Sequence, residues 1–527
     1  MTKPSVRLGA LLGATTSVAV IALSYLAERT AGTPFLPFDL FDWMARLLPG
    51  GLITFGIDLM VAVIRALRLG PTDATAKLAE QTLALLQVIA GGALFGGLLA
   101  WSARRGAAGL VPRGLLGGGI LFAVTAAAEA SLGRAGPAEL IWTAALLLGW
   151  GAALGALLAL AGPALAGAPD ARMGRRSFLY LVGGGVVSIS VGSLALARAS
   201  RAPAPQASAE DEIVDLSRTS GPAASPGSDT LGGRVDPAPG TRAEITPNAQ
   251  FYRIDINTRP PVVEEASWRL EIGGLVERPL SLTLDEIRAR PSVSQVITLQ
   301  CISNPIAGDL TSTSLWTGLR LKDLLEEAGM LSAAEEAYIE SADGFYESVE
   351  MADILDERTL LVHTMNGVPL PVEHGFPLRI YIPNRYGMKQ PKWIQRIEVI
   401  DRQGPGYWVD RGWSVEARPQ TVSAIDAVVR EPSGGVLPVG GIAYAGGRGI
   451  SKVEVQVDDG PWAEAILRAP PLSPLTWVQW RYDWPHQAGR HTFRVRAYDG
   501  AGILQITDRQ SPRPDGATGV HEVTIEV

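Results

Sequence analysis

Apolar residues fall into two regimes along this chain. Up to about residue 200 they form long unbroken blocks, and beyond it they come in short alternating runs. The blocks at 8–26, 79–101, 114–130, 138–160 and 178–197 consist mainly of Ala, Leu, Gly and Val. A bilayer core about 30 Å thick is crossed by about 20 such residues, so the pattern predicts an α-helical membrane bundle of five helices within residues 1–198. Leu47–Leu67 is a further apolar stretch, but Asp58 and Arg65 interrupt it and Pro49-Gly50-Gly51 opens it. Charge inside a span is costly, so an interfacial or re-entrant helix is expected there.

Residues 199–243 are rich in Ala, Pro, Ser and Gly with no apolar period, which is the composition of a flexible linker. From 244 to 403 strands and short helices alternate irregularly. Trp268–Ile272 alternates as a strand, Leu284–Arg288 begins a helix, and Phe345–Glu350 and Leu378–Ile382 read as strands. That mixture predicts an α+β domain. A connector at 404–419 carries Tyr407, Trp408 and Trp413. From 420 to 527 the pattern is purely β: Val453, Val455 and Val457 alternate before an Asp459-Gly460 turn, followed by the alternating sets Trp480, Tyr482, Trp484 and Phe493, Val495, Ala497. Short strands with near-regular turn signals predict an immunoglobulin-like sandwich.

One segment carries candidate chemistry. Val296–Gln300 reads as a buried strand that runs into Cys301, the only cysteine of the chain. A proline-broken polar loop follows, then Leu315–Gly329 reads as a helix, with Leu321, Leu324, Leu325 and Ala328 at helical spacing and Gly329 as its stop. A thiol where a strand opens into a loop can meet a soft metal; the plain alternative is a buried structural cysteine. One cysteine excludes an internal disulfide and an iron–sulfur cluster on four thiolates. The net charge of −7 argues against a nucleic-acid partner. All five histidines lie from His363 onward, which excludes bis-histidine haem in the apolar blocks.

Three motifs in order resemble the sulfite oxidase family of molybdopterin-dependent oxidoreductases. They are Gln300-Cys301-x-Ser303-Asn304 with Trp316-x-Gly318, then Met365-Asn-Gly-x-Pro with His374 and Arg379, then Tyr386-Gly-Met with Lys392-Trp393. The resemblance runs from about Phe251 to the C-terminus and leaves the membrane region outside. It implies a molybdenum–pyranopterin cofactor with Cys301 as the metal's protein thiolate. Phe251, Tyr252, Ser303, Asn304, His374, Arg379 and Lys392 then fall on cofactor-contacting positions, and Arg253 and Trp413 on catalytic ones. For Phe251-Tyr252-Arg253 a plain strand edge with one basic residue is an equal alternative, and His374 also reads as a turn residue. Family sulfite oxidases carry a basic pair after the Cys-x-x-Asn segment, where this chain has Pro305 and Ile306, and a tyrosine near the position of Trp413. That departure speaks against sulfite, with Arg253, Arg385 and Lys389 as the available replacement charge.

Gly174-Arg175-Arg176-Ser-Phe178-Leu179 resembles a twin-arginine export signal; basic flanking of a span under the positive-inside rule is the alternative. Both readings put Arg175 and Arg176 in the cytoplasm of a bacterium and the catalytic part outside. Five spans then place the N-terminus, with Lys3 and Arg7, in the cytoplasm along with Arg104, Arg105 and Arg113. The expectation is a multi-pass enzyme of the cytoplasmic membrane doing two-electron oxo-transfer on a small substrate. Its electron-transfer partner is unknown, and the resemblance implies that the sandwich can form a homodimer. Repair of protein methionine sulfoxide is the alternative of the same chemistry, favoured by an apolar pocket around Ile306 and Trp413. A cofactor-free scaffold is the alternative of another class. A transporter would want charges inside several spans; only Glu80, Glu129 and Glu139 fall in the five blocks, each at an end.

Overall fold

The N-terminal blocks form seven helices: α1 (Val6–Ala31), α2 (Leu36–Leu47), α3 (Gly50–Leu67), α4 (Thr72–Ser102), α5 (Leu110–Ser131), α6 (Pro137–Ala166) and α7 (Arg175–Ala199). The computed structural model describes residues 5–103, 109–166, 174–199, 235–432 and 434–527. Lys3, Arg104, Arg105 and residues 200–234 of the expected linker lie outside that set. Among the described residues six helices are long and apolar enough to cross a membrane. Five contain the predicted blocks and extend beyond most of them. The sixth is α3, which is one continuous helix despite Asp58 and Arg65.

The described chain divides into two compact units, one of Met1–Pro49, Thr75–Gln206 and Asn257–Arg259, the other of the remainder. In the first, glycine sets how closely helices approach. A Cβ at Gly13 would collide with the Gly92 carbonyl oxygen, and one at Gly114 with that of Gly151. Gly9, Gly13, Gly92 and Gly96 thus pair α1 with α4, and Gly114, Gly118, Gly151 and Gly155 pair α5 with α6, the small-residue packing used where no hydrophobic force acts between helices. The short segment Asn257–Arg259 belongs to this unit. Arg46 donates to Asn257 Oδ1 at 3.1 Å, Asp42 accepts from Thr258 N at 2.9 Å, and Arg259 pairs with Glu28.

The second unit begins with α3 and the stretch up to Ala74, which therefore group with the catalytic part and not with the helical unit, unlike the sequence-based division at residue 198. Its α+β domain contains β1 (Leu270–Gly274), β2 (Leu280–Leu282), α8 (Leu284–Arg288), β3 (Val293–Gln300), β4 (Thr311–Arg320), α9 (Leu321–Ala328), β5 (Glu336–Ser341), β6 (Tyr346–Glu350), α10 (Met351–Ile354), β7 (Leu360–Met365), β8 (Val368–Pro369), β9 (Arg379–Tyr381) and β10 (Ile394–Ile400). One sheet has the order β2-β1-β10-β5-β6; the other runs β3-β4-β7-β8 with β9 also on β7. Their shared core holds Ile272, Leu319, Leu324, Ile339, Ile380 and Ile397, all nearly free of solvent. Gly329 ends α9 with a φ of 72°, the left-handed conformation that glycine adopts without strain.

The C-terminal part is sheet-rich: β11 (Val422–Val428), β12 (Val436–Tyr444), β13 (Ile450–Val457), β14 (Ala463–Glu464), β15 (Ile466–Leu467), β16 (Val478–Pro485), β17 (Arg490–Asp499) and β18 (His521–Glu526). Two four-stranded sheets, β11-β12-β16-β15 and β14-β13-β17-β18, bury one core of Leu437, Val455, Trp480, Trp484, Phe493 and Val495 between them. Residues 235–243, read from sequence as flexible linker, are instead packed on it. Arg242 forks onto Asp426 at 2.6 and 3.0 Å, and Ala238 is buried. The unpaired edge of β3 is covered too: Leu475 O accepts from Thr298 N at 3.0 Å, and Tyr444 OH donates to Thr298 O at 3.0 Å. That cover fixes the strand that delivers Cys301.

Candidate active site

The last residues of β3 turn inward because Ile297, Thr298, Leu299 and Gln300 are all buried, with Gln300 in register with Thr311 of β4. Cys301 opens the loop between these strands, and the loop is closed on itself. Cys301 N donates to Leu310 O at 3.0 Å, while Asn304 Oδ1 accepts from Leu310 N and its amide donates to Thr311 Oγ1, both at 3.0 Å. Asn304 is thus the brace of the loop. Ser303 Oγ lies 3.0 Å from the Cys301 sulfur. Burial pushes the thiol's pKa up, and the Ser303 hydroxyl opposes that rise.

A second strap lies against the same cysteine. In the 3₁₀ turn Gly387–Lys389, a Cβ at Gly387 would stand 2.7 Å from the Tyr252 hydroxyl and 3.9 Å from Cys301 Cα. The bare glycine lets both approach. From Tyr252 the site continues as a wall of rings: Phe251 stacks on Tyr252 at 5.6 Å and meets Trp316 and His374 edge-on at 5.4 and 5.3 Å. Burial above all holds the Tyr252 hydroxyl well above its usual range.

Behind this wall lies Arg379, its guanidinium 4.8 Å from the centre of the Trp316 ring. Among the described residues its one hydrogen bond is to the His374 carbonyl oxygen at 3.1 Å, and no carboxylate lies in ion-pair range. Burial lowers its pKa to about 10, which leaves it cationic. A buried unpaired cation is costly, and Trp316 Nε1 beside it is a buried donor without an acceptor. Both are what an anionic, acceptor-rich group would satisfy. A phosphate-bearing pterin fits this donor set, with the Arg379 fork toward the anion.

His374 and Lys392 complete the cluster. His374 ends the turn Val372–His374 yet is buried, with Nε2 3.2 Å from Asn248 O. Burial first, then the charges of Lys392 and Arg379, lowers its pKa to about 3, so it is a neutral ring at working pH. The sign of the pH effect follows. An unfolded imidazole takes up a proton near 6.5 and the folded one only near 3, so this stability is full above 6.5 and lost as pH falls, by at most about 1.4 kcal/mol per pH unit. Melts of the solubilised protein at about pH 7.5 and about pH 5.5 should show a lower Tm in acid, and His374→Gln should shrink the difference. An undiminished difference in the variant would locate the acid lability elsewhere. Lys392 bonds Asp255, Ile254 O at 3.2 Å and Glu373 O at 3.1 Å, and Asp343 adds its field.

Other expectations fare differently. The guanidinium of Arg253 is turned to Asp255, Arg385 is held by Asp353 and the Glu416 carbonyl, and Lys389 by Glu347 at 2.7 Å. Each candidate for replacement charge thus already faces an acid. Ile306 and Trp413 do not form one pocket wall. Ile306 packs on Val422, Ile442 and Trp477 of the sheet-rich part, whereas Trp413 clusters with Ile302, Tyr386 and Met388 under the Arg513 guanidinium. Sequence reading also missed Asp255, Asp343 and Asn248. The Asn366-Gly367 pair, with φ of 49° and 82°, signals the hairpin that holds Asn248 through Asn366 Nδ2 at 2.8 Å.

A thiol on a closed loop, a ring wall and a buried unpaired arginine form a site that an anionic, acceptor-rich group would fit. Residues 257–408 match the model of the oxidoreductase molybdopterin binding domain, and the chain belongs to the sulfite oxidase family of molybdopterin-dependent oxidoreductases. The uncharacterized oxidoreductase YuiH of Bacillus subtilis (strain 168) is 30% identical over 160 residues, 30% of this chain and 79% of that protein. Sulfite oxidase of Gallus gallus is 31% identical over 295 residues, 46% of this chain and 64% of that protein. The putative protein-methionine-sulfoxide reductase subunit YedZ1 of Azospira oryzae is 34% identical over 152 residues, 29% and 56% of the two chains. This chain thus spans less than two thirds of the length of the chicken enzyme it matches.

Proposed function

We propose that this chain is a membrane-anchored molybdenum-cofactor enzyme that transfers oxo groups, two electrons at a time, to or from a small substrate outside the cytoplasmic membrane. The observation that carries the cofactor is Arg379, a buried guanidinium with no carboxylate partner, behind the ring wall that leads to Cys301. When bound, the molybdenum supplies the oxo-transfer and redox chemistry. The protein's residues do the rest. Cys301 is the thiolate toward the metal, and Ser303 Oγ stands at its sulfur as a hydrogen-bond donor. Phe251, Tyr252 and Trp316 exclude water, Arg379 would take the anionic end, and Asn304 keeps the loop closed; Lys392, bonded to Asp255, Ile254 O and Glu373 O, adds only its field. The immunoglobulin-like sandwich at 420–527 braces β3 and offers a surface for a homodimer.

The substrate reading is a neutral S-oxide or N-oxide, methionine sulfoxide included, in preference to sulfite. Pro305 and Ile306 stand in the thiolate loop at the positions where family sulfite oxidases carry a basic pair, and Arg253, Arg385 and Lys389 are each spent on an acid. The solubilised protein, made in a host that loads molybdenum enzymes, should carry about one metal and one pterin per chain. With a reduced viologen as donor it should turn over S-oxides, and sulfite with ferricyanide should give little. A metal-free chain from such a host would bring the scaffold alternative forward. Efficient sulfite oxidation would overturn the substrate reading alone.

A further inference from the structure

We infer that α3 is a membrane-surface helix of the catalytic unit, lying in the lipid interface with its outer face in the acyl boundary and not crossing the bilayer. The inference rests on the membrane reading of the flanking helices. Its first ground is the way α3 is divided into two faces. Thr54 and Ile64 are buried at 1% and 3% exposure, and Ile57 and Val61 between them are half-buried, so these four mark one inward stripe. That stripe is tied to the catalytic unit. The chain at Gly50 lies against Arg411, leaving only 3.0 Å between a Cβ there and Arg411 Cα, and Asp58 pairs with Arg513 at 3.1 Å. The opposite stripe, Leu52, Phe55, Leu59, Val63 and Leu67, is between 44% and 65% exposed and contains no charge.

Such a stripe needs a cover, and the chain itself says which. α3 leaves only residues 68–71 before α4, and five peptide steps reach at most about 18 Å. Both the helix before α2 and the helix after α3 are apolar enough to span, so α3 is held at the membrane surface by its own connections. The start of α4 is pinned to the catalytic unit as well: Asp309 accepts from Thr72 N at 2.7 Å, and Asp73 from Arg253 N at 2.8 Å. A helix fixed along one side and capped at its far end by bonds to the same unit cannot turn upright without breaking them. A lipid surface satisfies its outer stripe with no such cost. Arg513, which holds Asp58, also lies over Trp413, so a single guanidinium joins α3 to the cluster of Trp413, Ile302, Tyr386 and Met388.

The test is a depth measurement on the full-length protein in vesicles. Single cysteines at Leu52, Phe55, Leu59 and Val63 carry an environment-sensitive fluorophore, with Ile120 in α5 as the bilayer-core reference and the parent protein, whose Cys301 is buried, as background. Quenching by lipids brominated at successive acyl depths reports position. We expect one common shallow depth, about 5–10 Å below the surface, at all four sites. Depths progressing along the helix across a core of about 30 Å would show a span and overturn the proposal. Absence of quenching at the four sites with strong quenching at Ile120 would also overturn it, in favour of a protein cover. Loss of quenching at Ile120 would remove the membrane reading itself.

Discussion

Cys301→Ser should abolish turnover while leaving the fold in place. Serine keeps the size and the hydrogen bond to Ser303 Oγ, now 3.0 Å from the replaced sulfur position, so the stability change should stay within about 1–2 kcal/mol. The loop does not depend on the thiol, since Asn304, Leu310 and Thr311 close it through other atoms. What is lost is a soft thiolate donor, which an alkoxide does not replace at neutral pH. The loss of activity should exceed the 10–100-fold typical of removing a partner that merely orients a ligand. Paired measurements decide it: turnover per pterin and the melting curve. Retained turnover would return Cys301 to the structural reading of a buried thiol.

Local rules made much of this legible. The run into Cys301 and the spacing of Leu321, Leu324, Leu325 and Ala328 obey their apolar periods closely, so β3, α9 and the Gly329 stop follow from sequence; Leu315–Arg320, read as the start of that helix, instead belong to β4, where they pair with β3 and β7. The alternation of Trp480, Tyr482 and Trp484 likewise anticipates β16, where Trp480 and Trp484 are buried and Tyr482 is half-buried. Boundaries set by composition were less secure. Residues 235–243 look like linker, yet Arg242 finds Asp426 across 184 positions. Charge pairing over such separations leaves no trace in a local pattern.

The same limit explains the substrate side of the site. Arg385 and Lys389 read as available cations because their acids sit elsewhere in the chain, Asp353 32 residues from Arg385 and Glu347 42 residues from Lys389; the acid of Arg253 is Asp255, two residues on, and sequence reading passed over it. Ile306 and Trp413 read as neighbours because both are apolar and near conspicuous motifs, but they end in different cores. The glycine pairs of α1 with α4 and α5 with α6 were visible as Gly-x-x-x-Gly spacing at 9–13, 92–96, 114–118 and 151–155. Which of them face each other is a tertiary fact.

Arg379→Met should empty the site without unfolding the chain. The guanidinium is buried against Trp316 with one carbonyl acceptor, and a methionine of similar length removes a desolvated charge while keeping the apolar stem. The apo variant should therefore melt at or above the apo parent. With cofactor the balance reverses. A guanidinium fork on an anion is worth about 1.5–3 kcal/mol for each charged hydrogen bond, and losing two should lower pterin retention by about 100-fold or more. Arg379→Lys should fall between, since an ammonium supplies charge without the planar fork. Pterin content after dialysis, read beside apo and holo melting curves, separates these outcomes. An apo variant that melts well below the apo parent would mean that Arg379 serves the core through its contact with Trp316 and His374. Unchanged pterin content would mean that the anion is held elsewhere than at Arg379.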